Sequence, residues 1–211
     1  MTLYALLRAL KNAAINITTI EDPVEMHIPG INQVAVNARI GLDFAKVLRA
    51  MLRQDPDVIM IGEIRDSDTA KIALQAASTG HLVLGTVHAN HGLSVLNRLA
   101  LLGLNVFDCL EVLVLIIAQR LVRQLCKHCA ADQVKQACVF CEAGYHGRVG
   151  VFEVLLPDVQ LNELLAKQLP MHDIAAMLAK QGWLSLQAAA MQKVALGITS
   201  VSEVERVVGY G

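Results

Sequence analysis

The stretch Asp57-Val58-Ile59-Met60-Ile61-Gly62-Glu63-Ile64-Arg65-Asp66 decides the fold. Four consecutive apolar residues suit a strand buried on both faces, as in a parallel sheet, and Glu63 stands where such a strand emerges. Upstream, Ile15, Ile17 and Ile20 lead into Glu21-Asp22-Pro23; downstream, Leu82-Val83-Leu84-Gly85-Thr86-Val87 leads into His88-Ala89-Asn90. Short apolar runs alternating with longer helical patterns predict an α/β fold with a mostly parallel sheet and flanking helices. Ligands of open parallel sheets bind beyond the carboxyl ends of the strands, so Glu21, Glu63 and His88 are expected on one rim.

Between these runs, Leu42, Ala45, Leu48 and Leu52 keep helical spacing until Asp55-Pro56 stops the helix, and Arg49 and Arg53, four apart, form a basic face. A second helix starts with Asp66 or Ser67 as N-cap and ends near Gly80. The segment from Leu110 to Leu125 is apolar on nearly every side and is expected as a buried helix. Toward the end of the chain, helices are expected over Leu161–Leu169, Asp173–Lys180, Leu184–Leu196 and Val201–Val208, the first two parted by Pro170. Ser200 and Glu203 match a capping box. Three domains result: residues 1–125, 126–150 and 151–211.

At 211 residues the chain can bury a real core, and 55% hydrophobic against 18% charged residues excludes disorder. The longest purely apolar stretch, Val112–Ala118, falls far short of the ~18 residues that a membrane span needs. The first residues lack the basic head and small-residue cleavage site of a signal peptide, so the cytosol is the expected compartment. A net charge of −1 and 4% aromatic residues argue against nucleic acid as partner.

A carboxylate at a strand end such as Glu63 suits phosphoryl transfer, where it orients a magnesium ion or the attacking water; a solvated acid is the plainer alternative. Glu21, Asp22 and Glu25 crowd three carboxylates into five positions, which a divalent cation or an arginine relieves and which a solvated turn also explains. His88 ends the third run, where a neutral imidazole can donate to a phosphate.

Cys126-x-x-Cys129 and Cys138-x-x-Cys141 can supply the four thiolates of a closed tetrahedral zinc site, with eight residues between the pairs; free cytosolic thiols are the alternative. His128 and His146 lie nearby as bystanders. Cys109, alone in an apolar context, reads as a core residue.

Thr19-Ile20-Glu21-Asp22-Pro23-Val24-Glu25, the stretch Leu52–Asp66, Thr79-Gly80-His81-Leu82-Val83-Leu84 and Thr86-Val87-His88-Ala89-Asn90, taken in order, resemble the secretion ATPase superfamily. In that resemblance they are the Asp box, the Walker B segment and the His box. Ala118-Gln119-Arg120-Leu121-Val122-Arg123 ahead of the cysteines, and Gly144–Leu155 after them, resemble the type II secretion and type IV pilus assembly branch.

The resemblance implies a RecA-like ATPase domain using ATP and Mg2+, with a tetracysteine Zn2+ insertion and a small helical C-terminal region. It implies work as a homohexamer with an inner-membrane platform protein and other secretion or pilus components, at the cytoplasmic face of the inner membrane. By position, Glu63 is the water-polarising glutamate, Glu21 and Glu25 are acids near magnesium, His88 senses the γ-phosphate and Arg65 is the motif arginine. Asp22 and Thr86 are assigned to cofactor binding; the spacing of Arg49 and Arg53 on the basic helix, apart from the resemblance, suggests that they face a neighbouring subunit. The family's phosphate loop, Gly-x-x-x-x-Gly-Lys-Ser/Thr, is not in this chain, which resembles a carboxyl-terminal fragment beginning just after it. Impaired ATP binding is therefore expected, with a non-catalytic, zinc-stabilised interaction module as the alternative reading.

Overall fold

A computed structural model describes residues 1–128 and 138–209. The chain divides into two units, Met1–His88 with Leu96–Val112, and Ala89–Val95 with Leu113–Gly211.

The first unit is built on four parallel strands, β1 (Ile17–Glu21), β2 (Asn32–Ala35), β3 (Val58–Ile61) and β4 (Leu82–Gly85), in the order β2-β1-β3-β4. Every residue of β1 and β3 is buried. The period-two alternation of a strand splits β3 between two cores. Ile59 and Ile61 join Ile20 under α2 (Phe44–Met51) and α3 (Ser67–Ser78), while Val58 and Met60 join Ile17 under α1 (Thr2–Leu10). Asp43 and Asp66 cap α2 and α3 by accepting from the amides of Lys46 and Thr69, both at 2.8 Å. The division between units falls within α4 (Gly92–Leu101), and α5 (Val106–Val112) completes the first unit.

The second unit carries the antiparallel pair β5 (Ile116–Leu125) and β6 (Tyr145–Leu155), followed by α6 (Val159–Ala166), α7 (Met171–Lys180), α8 (Leu186–Ala195) and α9 (Val201–Val208). The helix expected over Leu110–Leu125 is therefore corrected: α5 ends at Val112 and Ile116–Leu125 is a strand. The apolar run conceals a two-residue alternation. Ile116, Ala118 and Val122 are buried, whereas Ile117 and Leu121 are exposed, and Val122 and Val151 pack on Leu186, Ala190 and Val204. Because β5 pairs with β6, these units divide the chain elsewhere than the limits 125/126 and 150/151 read from sequence. The helices after Leu155 lie close to their expected positions, with Pro170 at the start of α7.

The capping box forms by half. Ser200 Oγ accepts from the Glu203 amide at 3.1 Å, but the Glu203 carboxylate does not reach back. It accepts instead from the Arg123 amide, Nε and Nη2 at 3.0, 2.9 and 2.7 Å, and from Arg206 Nε and Nη2 at 2.8 and 2.7 Å. Arg123 lies 4.2 Å over the Tyr145 ring, and the Tyr145 hydroxyl is 2.6 Å from Ser200 Oγ. Strand β5, strand β6 and helix α9 thus meet on one fully buried carboxylate.

The Arg206 bonds, then those of Arg123, hold the Glu203 carboxyl far below its ordinary value of 4.5, against the opposing effect of burial. A carboxyl depressed by folding contributes stability above its unfolded pKa and loses that contribution as pH falls below it. Glu203→Gln is therefore expected to lower the melting temperature at pH 7, by roughly 2–4 °C for each kcal/mol lost. It is also expected to shrink the drop in melting temperature between pH 7 and pH 3. Thermal melts of both proteins at the two pH values check this.

Candidate functional site at the carboxyl edge of the parallel sheet

Three strand ends are sewn together at the carboxyl edge of the sheet. The Gly62 amide donates to the Ile20 carbonyl at 2.7 Å, the Ile64 amide to the Thr86 carbonyl at 2.9 Å, and Thr86 Oγ1 to the Gly62 carbonyl at 2.6 Å. A side chain at position 62 would place its Cβ 3.0 Å from the Ile20 carbonyl oxygen and 3.4 Å from Glu21 Cα. Glycine lets the exit of β3 pass this close to the exit of β1 without pushing the backbone aside by a few tenths of an ångström.

Glu63 then stands between two nitrogen groups. Arg65 Nη2 is 2.5 Å from Oε2, and His88 Nε2 is 2.5 Å from Oε1. The Glu63 side chain is 16% exposed, against 61% for Arg65 and 78% for His88, so a mostly buried carboxylate faces two accessible partners. The Arg65 hydrogen bond, opposed by burial and aided by the charge of His88, lowers the Glu63 carboxyl pKa and keeps it ionised at neutral pH. Glu63 in turn raises Arg65, with a further contribution from Asp22, which sets that acid in the field of the same guanidinium.

The three crowded acids after β1 separate by environment. Asp22 and Glu25 are exposed. Glu21 is 3% exposed, and accepts from the Tyr4 hydroxyl, from Thr19 Oγ1 at 2.5 Å and from Gln33 Nε2 at 3.1 Å. Tyr4 does more than bond Glu21: its oxygen accepts from the amides of Glu25 and Met26 at 3.1 and 3.3 Å. Gln33 closes the loop by donating to the Met26 carbonyl and accepting from the Ile28 amide. Burial and the Glu21 bond push the Tyr4 hydroxyl pKa up, so it stays protonated and able to donate. The acid-loop backbone is thus fixed by a buried phenol and a buried carboxylate, while two carboxylates face outward.

At the far end of the β5–β6 pair, the sulfurs of Cys126, Cys138 and Cys141 lie within 4.8 Å of one another. The Cys126 amide donates to the Gly144 carbonyl and the His128 amide to Cys126 Sγ at 3.4 Å. Three converging thiols are a donor set compatible with zinc. Cys129 lies outside the described residues. The His128 ring stacks on Phe140 with centroids 4.4 Å apart.

The family described as type II/IV secretion system protein matches residues 1–206. This chain belongs to that family. Among its relatives, the type IV pilus assembly ATPase PilB of Pseudomonas aeruginosa is 42% identical over 230 residues, an alignment covering 98% of this chain and 41% of PilB. The type II secretion system protein HxcR of the same organism is 43% identical over 211 residues, covering 98% of this chain and 45% of HxcR. The chain thus spans less than half the length of these two relatives. The solved structure of the pilus retraction motor PilT with bound ADP superposes with a TM-score of 0.74 at 28% identity, covering 97% of this chain and 55% of PilT. The ATPase DotB of Legionella pneumophila gives 0.72 at 25%, with the same coverage.

Within this secretion-family chain, the rim gathers Glu63, Arg65, His88 and Thr86, with Gly62 packed against Glu21 and Asp22 acting on Arg65. Arg49 and Arg53 are exposed, on α2 and in the short turn after it. Cys109 is a buried core residue whose thiol pKa is raised by burial. Tyr4 and Gln33 are the residues that sequence reasoning missed. A lone tyrosine on the buried side of α1 was the one available signal, since a buried phenol needs a polar partner. Tyr4→Phe leaves Glu21 without one donor and two amides without their acceptor. It is expected to cost about 1–3 kcal/mol in urea denaturation and to speed hydrogen exchange over residues 22–28.

Proposed function

We propose that this chain carries the Walker B and histidine side of an ATP-hydrolysing motor that serves type II protein secretion or type IV pilus assembly. One observation carries the reading. An ionised glutamate at the end of a central parallel strand is held between an arginine and a histidine, on a fold shared with PilT. Placed there, Glu63 is suited to orient and polarise an attacking water, and Arg65 keeps it ionised. His88 is suited to donate to a terminal phosphate. Thr86 fixes the loop between them.

The donor set fits a magnesium ion in part. Asp22 and Glu25 are exposed acids free to face a cation, whereas Glu21 is buried with its oxygens bonded, which suits it to hold the loop. The residues of this chain do not by themselves fit ATP. They include neither the lysine nor the glycine-rich amide nest of a phosphate loop. We therefore assign the 211-residue chain weak nucleotide binding and little or no turnover on its own.

We infer, from what the secretion ATPase resemblance implies, that the motor works as a homohexamer at the cytoplasmic face of the inner membrane and engages a platform protein and other secretion or pilus components. Among the described residues no helix is long and apolar enough to cross a membrane. We assign Cys126, Cys129, Cys138 and Cys141 to one structural zinc ion that closes the connection between β5 and β6, with α6–α9 as the helical region beyond it.

Two measurements test these readings. Calorimetry and phosphate release on the purified chain are expected to show weak ATP binding and turnover at background; robust turnover abolished by Glu63→Gln contradicts the assignment. Elemental analysis is expected to find one zinc per chain, lost together with thermal stability in Cys138→Ser; a stable, zinc-free protein contradicts the metal assignment.

A further inference from the structure

Glu153 sits on β6 with 1% of its surface exposed, within the second unit. Its partners are backbone amides at two helix starts. The Gly92 amide at the head of α4 donates to Oε1, and the Leu186 amide at the head of α8 donates to Oε2 at 2.8 Å. Helix starts present amides with no intrahelical acceptor and a partial positive charge, which a carboxylate satisfies. The approach at Gly92 is close: a Cβ there would lie 2.5 Å from Glu153 Oε1, so a side chain at 92 would displace the carboxylate from this position. The neighbouring strand supplies a second grip: Arg120 Nη2 on β5 donates to the Asn90 carbonyl at 3.2 Å. In the β5–β6 register Arg120 faces Val151 and Ala118 faces Glu153, so both grips come from one hairpin. The run they hold, Asn90–Gly92, begins two residues beyond His88.

We propose that Glu153 is a positioning residue that, together with Arg120, fixes the backbone Asn90–Gly92 as it leaves His88. Glu153 touches no reacting atom. It sets where the chain after the histidine is anchored. Its consequence for turnover rests on the role proposed for His88; the anchoring itself does not.

The test is hydrogen exchange and NMR on the full 211-residue chain carrying Glu153→Gln, which keeps the shape but presents an NH2 donor to one of the two amides. Exchange at amides 90–95 and 186–188 is expected to accelerate at least about tenfold. Amides of β1, β3 and β4 are expected to keep wild-type exchange, and the His88 imidazole signals to shift. Unchanged exchange over 90–95 overturns the proposal. So does loosening confined to 186–188 with His88 signals unmoved, which leaves Glu153 as a cap of α8 alone. If Glu153→Gln fails to fold, Arg120→Ala carries the test. Faster exchange at Asn90–Gly92 in a folded chain supports the proposal, and wild-type exchange there overturns it. ATP turnover is not read in these measurements, so failure of the motor reading and failure of the anchor remain distinguishable.

Discussion

The rim of the parallel sheet depends on one close approach, that of Gly62 to the Ile20 carbonyl. Parallel strands carry their neighbours in register through slanted, evenly spaced hydrogen bonds, and the 2.7 Å bond from the Gly62 amide extends that ladder one step past the end of β3. The extension brings Glu63 out of the sheet next to the acid loop after β1. Thr86 repeats the device on the other side by tying β4's exit to the same Gly62 carbonyl. Glu63, Arg65 and His88 then meet on backbone whose position is set by the sheet rather than by mobile loops. A rigidly held carboxylate beside nitrogen donors is what electrostatic catalysis requires of a scaffold.

The two glutamates at the rim show how environment divides labour among like residues. Glu63 is mostly buried, yet its two oxygens face partners that are themselves mostly exposed. Glu21, on the neighbouring strand, is turned into the core and satisfied by Tyr4, Thr19 and Gln33. The second unit uses the same logic twice more. Glu203 gathers Arg123 and Arg206, and Glu153 gathers two helix starts, each a buried carboxylate joining elements far apart in sequence. Such groups are costly to bury unless every oxygen is bonded, so they define one arrangement sharply.

The parts of this fold legible in sequence are those whose signal is local. Val58–Ile61 announces a doubly buried strand, Asp66 announces a helix start, and Ser200 announces α9. The order of motifs through Glu21, Glu63 and His88 pointed to the family that the relatives bear out. What was not legible depends on partners distant in the chain. Ile116–Leu125 looks like a buried helix because its exposed face is also apolar, and only pairing with Tyr145–Leu155 makes it a strand. Strand β2 carries too polar a run, Asn32–Ala35, to announce itself. Glu203 has a local capping pattern, yet its carboxylate goes to an arginine 80 positions away. Glu21 reads as a metal-facing acid until Tyr4 is known to bond it.

Carboxyl-selective NMR titration of Glu63 tests most directly whether the rim exists as described. With the glutamate carboxyls 13C-labelled and Glu63 assigned by substitution, the wild-type group is expected to titrate below an ordinary glutamate and to move back toward the ordinary value in Arg65→Ala. A Glu63 that titrates as a free, solvated glutamate in the wild type, and does not respond to the loss of Arg65, would contradict the account.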